Sequence, residues 1–179
     1  MKWNQCLMLG AILISVTCAY GHAEKTIDVH LLTDDVKEHG IGKKIGTITF
    51  EDSDKGLVIR TELKDLPPGN HGFHIHVNPS CNGLEKDGKW MPGEAAGGHL
   101  DPARTNKHLG PEGKGHLGDL PYLVVDKKGN NQTTTIAHRL TLKEILGHSI
   151  MIHVGGDTYK DVPPMGGGDG RLACGVIKG

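Results

Sequence analysis

The segment His71-Gly72-Phe73-His74-Ile75-His76 places two imidazoles two residues apart. On a strand such residues project to the same face, so His74 and His76 point together while Phe73 and Ile75 point to the other side. Two imidazoles side by side over an apolar floor make half of a metal site. Further along, His99, His108, His116 and Asp119 offer three imidazoles and a carboxylate, a donor set that suits tetrahedral zinc. His153 lies in the apolar run Ser149–Val154, where a lone histidine is more often a buried, satisfied side chain than a ligand. It gains a ligand role only in company with His74 and His76. Three or four imidazoles without sulfur suit copper, which tops the divalent affinity order. His71 has the strand parity of Phe73 and Ile75, so it reads as a histidine bonded to backbone. His30, His39, His138 and His148 have no such company and read as ordinary.

Strands must position these groups. The chain has 179 residues and reads as one domain. Strand patterns cover Thr26–Leu32, Lys44–Glu51, Leu57–Leu63, Gly72–Val77, Leu120–Asp126, Thr133–Arg139, Ser149–Val154 and Leu172–Lys178. Asp52–Gly56 and Lys127–Asn130 are turn material between strands. Thr141 with Glu144 forms a capping-box pattern for one short helix ending near Gly147. Two stretches rich in Gly and Pro, Asn78–Gly118 and Gly155–Gly170, fit no strand and carry most of the candidate ligands. Loops this long in a compact domain are usually functional or disordered, and the ligands held here favour the functional reading. The expected architecture is all-β, an antiparallel sandwich or flattened barrel with two long functional loops.

The N-terminus reads as a cleaved secretory signal peptide over residues 1–23. Lys2 is followed by the apolar run Leu7–Val16, and Gly21-His22-Ala23 has small residues at the cleavage positions. The apolar run is short of the ~20 residues that span a bilayer. Cleavage after Ala23 removes Lys2 and no acid, so the formal charge of −1 becomes one unit more negative. That balance, with no basic run, speaks against a nucleic-acid partner. It also leaves no membrane segment in residues 24–179. Of four cysteines, Cys6 and Cys18 fall in the signal, leaving Cys81 and Cys174. In an export compartment a Cys81–Cys174 bond would persist and would close a long loop, worth about 4–5 kcal/mol in the chain-entropy model. Two free thiols or two thiolate ligands are the alternatives, and neither cysteine has a partner at zinc-ribbon spacing.

The motifs HGFHIH (71–76), GGH (97–99), Gly118-Asp119-Leu120 and GRLACGVI (170–177) resemble the copper/zinc superoxide dismutases. HVNPSC (76–81), AAGGHLDP (95–102) and HVGGD (153–157) resemble the exported bacterial form in particular, with a match from about Lys44 to the C-terminus. The resemblance implies an eight-stranded Greek-key β-barrel in the periplasm. It implies copper on His74, His76, His99 and His153, and zinc on His99, His108, His116 and Asp119. His99 would be shared between the metals, and Asp157 would link a copper histidine to a zinc histidine. Arg171 would sit beside the copper channel as a positive guide for superoxide, a small anion approaching a net-negative protein. Arg171 and His99 are thus the expected catalytic groups, with superoxide as substrate. Both monomers and homodimers occur among such bacterial enzymes, so the chain could form a homodimer. A zinc hydrolase using histidines two apart would need a carboxylate after His76, where Val77-Asn78 stand. A copper or zinc carrier would not need all seven ligands, Arg171 and both cysteines together.

Overall fold

The computed structural model describes residues 23–179. The signal segment, with Cys6, Cys18 and His22, lies outside the described residues, Ala23 excepted.

Eleven strands are described: β1 (Glu24–Leu32), β2 (Ile41–Ser53), β3 (Gly56–Leu63), β4 (Gly69–His71), β5 (Phe73–His76), β6 (Leu84–Lys86), β7 (Lys89–Met91), β8 (Leu123–Val125), β9 (Asn131–Ala137), β10 (His148–His153) and β11 (Arg171–Ile177). The main sheet runs β5-β10-β11-β1-β2-β3-β9, antiparallel throughout. β4 continues into β5 across Gly72 at one end of this sheet. At the other end, β8 leads into β9 through a turn closed by the Asp126 amide on the Asn130 carbonyl, 2.9 Å. The β4–β8 pair joins the two ends, so the curled sheet returns on itself as an eight-stranded barrel with β4 and β5 counted as one strand. The pairings β1–β11, β3–β9 and β5–β10 link strands distant in sequence, which is the Greek-key pattern.

Alternation decides what lies inside. In β3 the run Leu57, Ile59, Thr61 and Leu63 is buried while Arg60 and Glu62 are exposed. Phe50, Phe73, Ile75, Ile150 and Ile152 join these in the core, each worth about 1.5–3 kcal/mol of burial. The capping box is present at Thr141 and Glu144, opening a single-turn helix, α1 (Leu142–Ile145).

The stretch 78–118 departs from the strandless expectation. It contains the β6–β7 hairpin, in which Lys86 pairs with Lys89 around Asp87-Gly88. Both turn residues have positive φ, 53° and 72°, the requirement of a two-residue hairpin turn that Asp-Gly meets. Short 3₁₀ turns cover Glu94–Ala96 and Pro164–Gly167 within the two loops.

Candidate metal centre

The register of β5 on β10 builds the floor of the site. Phe73 pairs with Ile152 and Ile75 with Ile150, and all four enter the core. His74 and His76 therefore leave on the outer face. His153, next after core-facing Ile152, has the outward parity and joins them, with its amide bonded to the Gly72 carbonyl at 2.9 Å. Rings 74 and 153 are 4.9 Å apart, and rings 76 and 153 are 5.6 Å apart.

The other edge of β5 is taken up by the first long loop, which returns to it twice. The Leu100 amide bonds the Ile75 carbonyl at 2.8 Å, and the Ile75 amide bonds the Gly118 carbonyl at 2.9 Å. These contacts set His99 beside His76 and Asp119 beside His74. They also cover an edge that would otherwise expose unpaired backbone. Gly118 is required by this approach, because a Cβ there would lie 2.3 Å from the Ile75 carbonyl oxygen.

His99 stands between two groups. Its ring is 3.9 Å from that of His74 and 5.1 Å from that of His76. On its other side it is 5.4 Å from His108 and 5.3 Å from His116. Nδ1 faces Asp119 Oδ1 at 3.0 Å. Ligand atoms of His74, His76, His99 and His153 all lie within 4.8 Å of one another. A second such set comprises His74, His99, His108 and Asp119. His116 lies at the edge of that set, with Nδ1 3.4 Å from Asp119 Oδ1. His74 and His99 fall in both sets.

Six buried atoms of this cluster have no hydrogen-bond partner: His74 Nδ1, His76 Nε2, His153 Nε2, His108 Nδ1, His116 Nδ1 and Asp119 Oδ2. His108 Nδ1 and Asp119 Oδ2 are 3.1 Å apart yet out of hydrogen-bond alignment. An unpaired buried polar atom is costly, and six converging from both sides of one ring fit two cations.

The remaining ring nitrogens are held by the protein. His74 Nε2 donates to Asp157 Oδ2 and His108 Nε2 to Asp157 Oδ1, each at 2.7 Å. His76 Nδ1 donates to the Gly97 carbonyl at 2.8 Å. His71 is turned away, with its ring nitrogens 2.7 and 2.8 Å from the carbonyl oxygens of His153 and Pro67.

Burial, then the neighbouring imidazole of His74, lowers both His99 and His153 to about 3. His76 is pushed well below the usual histidine range, by burial first and then by His99 and His153. His108 behaves differently. Burial opposes its charged form, but Asp119 and Asp157 outweigh it and raise the ring to about 9. Despite their burial, Asp119 and Asp157 are lowered by the histidines beside them, foremost His108.

A cavity of about 580 Å³ opens onto His76, His99 and His153, and Arg171 lines it. The guanidinium donates to the carbonyls of Gly93 and Gly97, the latter at 2.7 Å, and meets Glu94 at 3.4 Å. Lys86 pairs with the same Glu94 at 3.0 Å. Cys81 and Cys174 are bonded, with Cα atoms 5.7 Å apart, tying the first loop to β11 three residues from Arg171.

Four supporting residues had no signal in the sequence. Asp161 accepts the His108 amide at 2.6 Å. Arg139 donates to the carbonyls of Gly115 and His116 at 3.0 and 3.2 Å. Tyr159 packs on Gly110 and donates its amide to Asp157 at 2.7 Å. Gly166, at φ 75°, lies where a Cβ would strike Asp157 and His108.

Residues 44–177 match the family model described as copper/zinc superoxide dismutase. A superoxide dismutase [Cu-Zn] of Escherichia coli K12 is 51% identical over 168 residues, 93% of this chain and 94% of the relative. The Cu/Zn superoxide dismutase of Brucella abortus superposes with a TM-score of 0.83 at 47% identity, over 87% of this chain and all of that one. The solution structure of a monomeric copper, zinc superoxide dismutase from Salmonella enterica gives 0.77 at 51%, with the same coverage.

Proposed function

Since the chain belongs to the copper/zinc superoxide dismutase family and converts superoxide and protons to dioxygen and hydrogen peroxide, we propose which of its residues do this. His74, His76, His99 and His153 hold copper, and His99, His108, His116 and Asp119 hold zinc. The six unpartnered buried atoms around His99 carry this reading. Copper supplies one-electron chemistry between Cu(II) and Cu(I), while zinc supplies fixed charge and structure.

The protein's own groups do the rest. His99 Nε2, on the side of the copper histidines, carries the proton delivered to the peroxide product, a general-acid role. A ring deprotonated at both nitrogens needs a cation on each side, so the shared position couples the two sites. Arg171 keeps a positive charge at the cavity wall and draws the anion inward. Asp157 locks the tautomers of His74 and His108, leaving each Nδ1 free to ligate.

Residues 1–23 are proposed to be a removed export signal. β1 opens at Glu24, so cleavage after Ala23 spares the barrel. The Cys81–Cys174 bond supports an oxidising compartment such as the periplasm. Superoxide is the substrate; a homodimer would appear as a doubled mass in sedimentation.

Metal analysis of the exported protein and of His99→Ala tests the site. The expected result is one copper and one zinc per chain, with rapid superoxide consumption and a copper signal altered by the substitution. Zinc alone without turnover, or an unchanged copper spectrum in the variant, overturns it.

A further inference from the structure

Two methionines line the cavity over the copper histidines, one from each long loop. Met91 ends β7 and is 42% exposed; Met165 sits in the 3₁₀ turn after Pro164 and is 40% exposed. Both flank the approach to His76, His99 and His153. Met165 is held at φ 51°, ψ 37°, a left-handed conformation uncommon outside glycine, between two neighbours that fix the turn: Pro164 and Gly166. Neither side chain is buried as core packing would require, and neither touches the four imidazoles' hydrogen-bond network described above.

A thioether is a weak hydrogen-bond acceptor and gives a superoxide channel no positive charge. It is, however, a soft ligand that selects Cu(I) over Cu(II) and zinc. Glu94 in the same wall is already paired with Lys86 and Arg171, so the two thioethers are the soft donors the cavity offers an incoming copper ion. We propose that Met91 and Met165 form a landing site for Cu(I), which passes from their sulfurs to the imidazoles of His76, His99 and His153. No electron moves in this transfer; sulfur–copper contacts are exchanged for nitrogen–copper contacts, and the ion remains Cu(I). The inference rests on the copper assignment made above.

The test is copper uptake by the zinc-containing, copper-free protein, comparing parent and the Met91→Leu/Met165→Leu double variant. Leucine conserves volume and removes the sulfur. Cu(I) is supplied as its bicinchoninate complex and Cu(II) as the nitrilotriacetate complex. The double variant is expected to take up Cu(I) about tenfold more slowly, equivalent to ~1.4 kcal/mol. Its Cu(II) uptake rate, final copper content and final copper spectrum should match the parent. An unchanged Cu(I) rate, or equal slowing of both ions, overturns the landing site. If the parent fails to place either ion on its histidines, the copper assignment itself fails, a distinct outcome visible without the variant.

Discussion

The two oxygens of Asp157 divide between His74 and His108, each at 2.7 Å. One carboxylate therefore orients a ring of the proposed copper group and a ring of the proposed zinc group at once. Asp157→Asn keeps the shape but can accept from only one of the two rings. Zinc affinity should fall about 10- to 100-fold, and copper affinity should fall as well, since each set loses the fixed orientation of one ring. Competition with a chromophoric chelator measures this, and undiminished zinc retention would refute the orienting role.

Zinc binding should release protons at neutral pH. His108 is raised to about 9 in the metal-free site, so at pH 7 it holds a proton that a ligand must lose. About one proton should appear per zinc bound at pH 7, and affinity should climb up to about pH 9. Calorimetry in buffers of different ionisation enthalpy counts the proton; a count of zero sinks the prediction.

The same shifts set the pH stability of the metal-free protein. The contribution of His108, raised from 6.5, is full below pH 6.5 and is lost as pH rises through 9. His99 and His153 are lowered to about 3, so theirs is present above pH 6.5 and is lost as pH falls toward 3. Denaturation midpoints across pH 4–9 should peak near neutrality, and a curve still rising below pH 5 would contradict the buried neutral rings.

Arg171 is expected to serve rate more than metal binding. Arg171→Ala should slow turnover about tenfold at low salt and flatten its dependence on ionic strength, with metal content unchanged. Because Gly93 and Gly97 lose their donor, Arg171→Lys should restore the salt response better than the rate. An alanine variant with the parent's salt response would remove Arg171 from steering.

The Cys81–Cys174 bond spans 93 residues. Replacing both cysteines with serine should cost about 4–5 kcal/mol in the chain-entropy model, seen as a lower denaturant midpoint. Turnover should fall as well, since the bond tethers the loop that supplies the Arg171 acceptors. A midpoint equal to the parent's would show that the bond does not stabilise the barrel.

Much of the centre could be read before folding, because strand geometry is local. Period-two alternation puts His74 and His76 on one face and His71 on the other, whatever the rest of the chain does. The β6–β7 hairpin was also legible in Asp87-Gly88, but a glycine-rich surrounding hid it. The support around the ligands was not legible. Asp161 reaches His108 across 53 residues and Arg139 reaches His116 across 23. Glu94 pairs with both Lys86 and Arg171, which lie far apart in the chain. No local pattern marks such residues, since each matters only for what the loops bring to it.

Residue type and spacing decided the donor chemistry: imidazoles with one carboxylate and no thiolate, two cysteines left to pair, and strands enough for a barrel. Folding alone decided that the first loop docks twice on the free edge of β5, through the carbonyls of Ile75 and Gly118. That docking inserts His99 between two ligand groups. Backbone hydrogen bonds between distant segments carry no side-chain signature, so nothing along the chain announces where such an edge will be met.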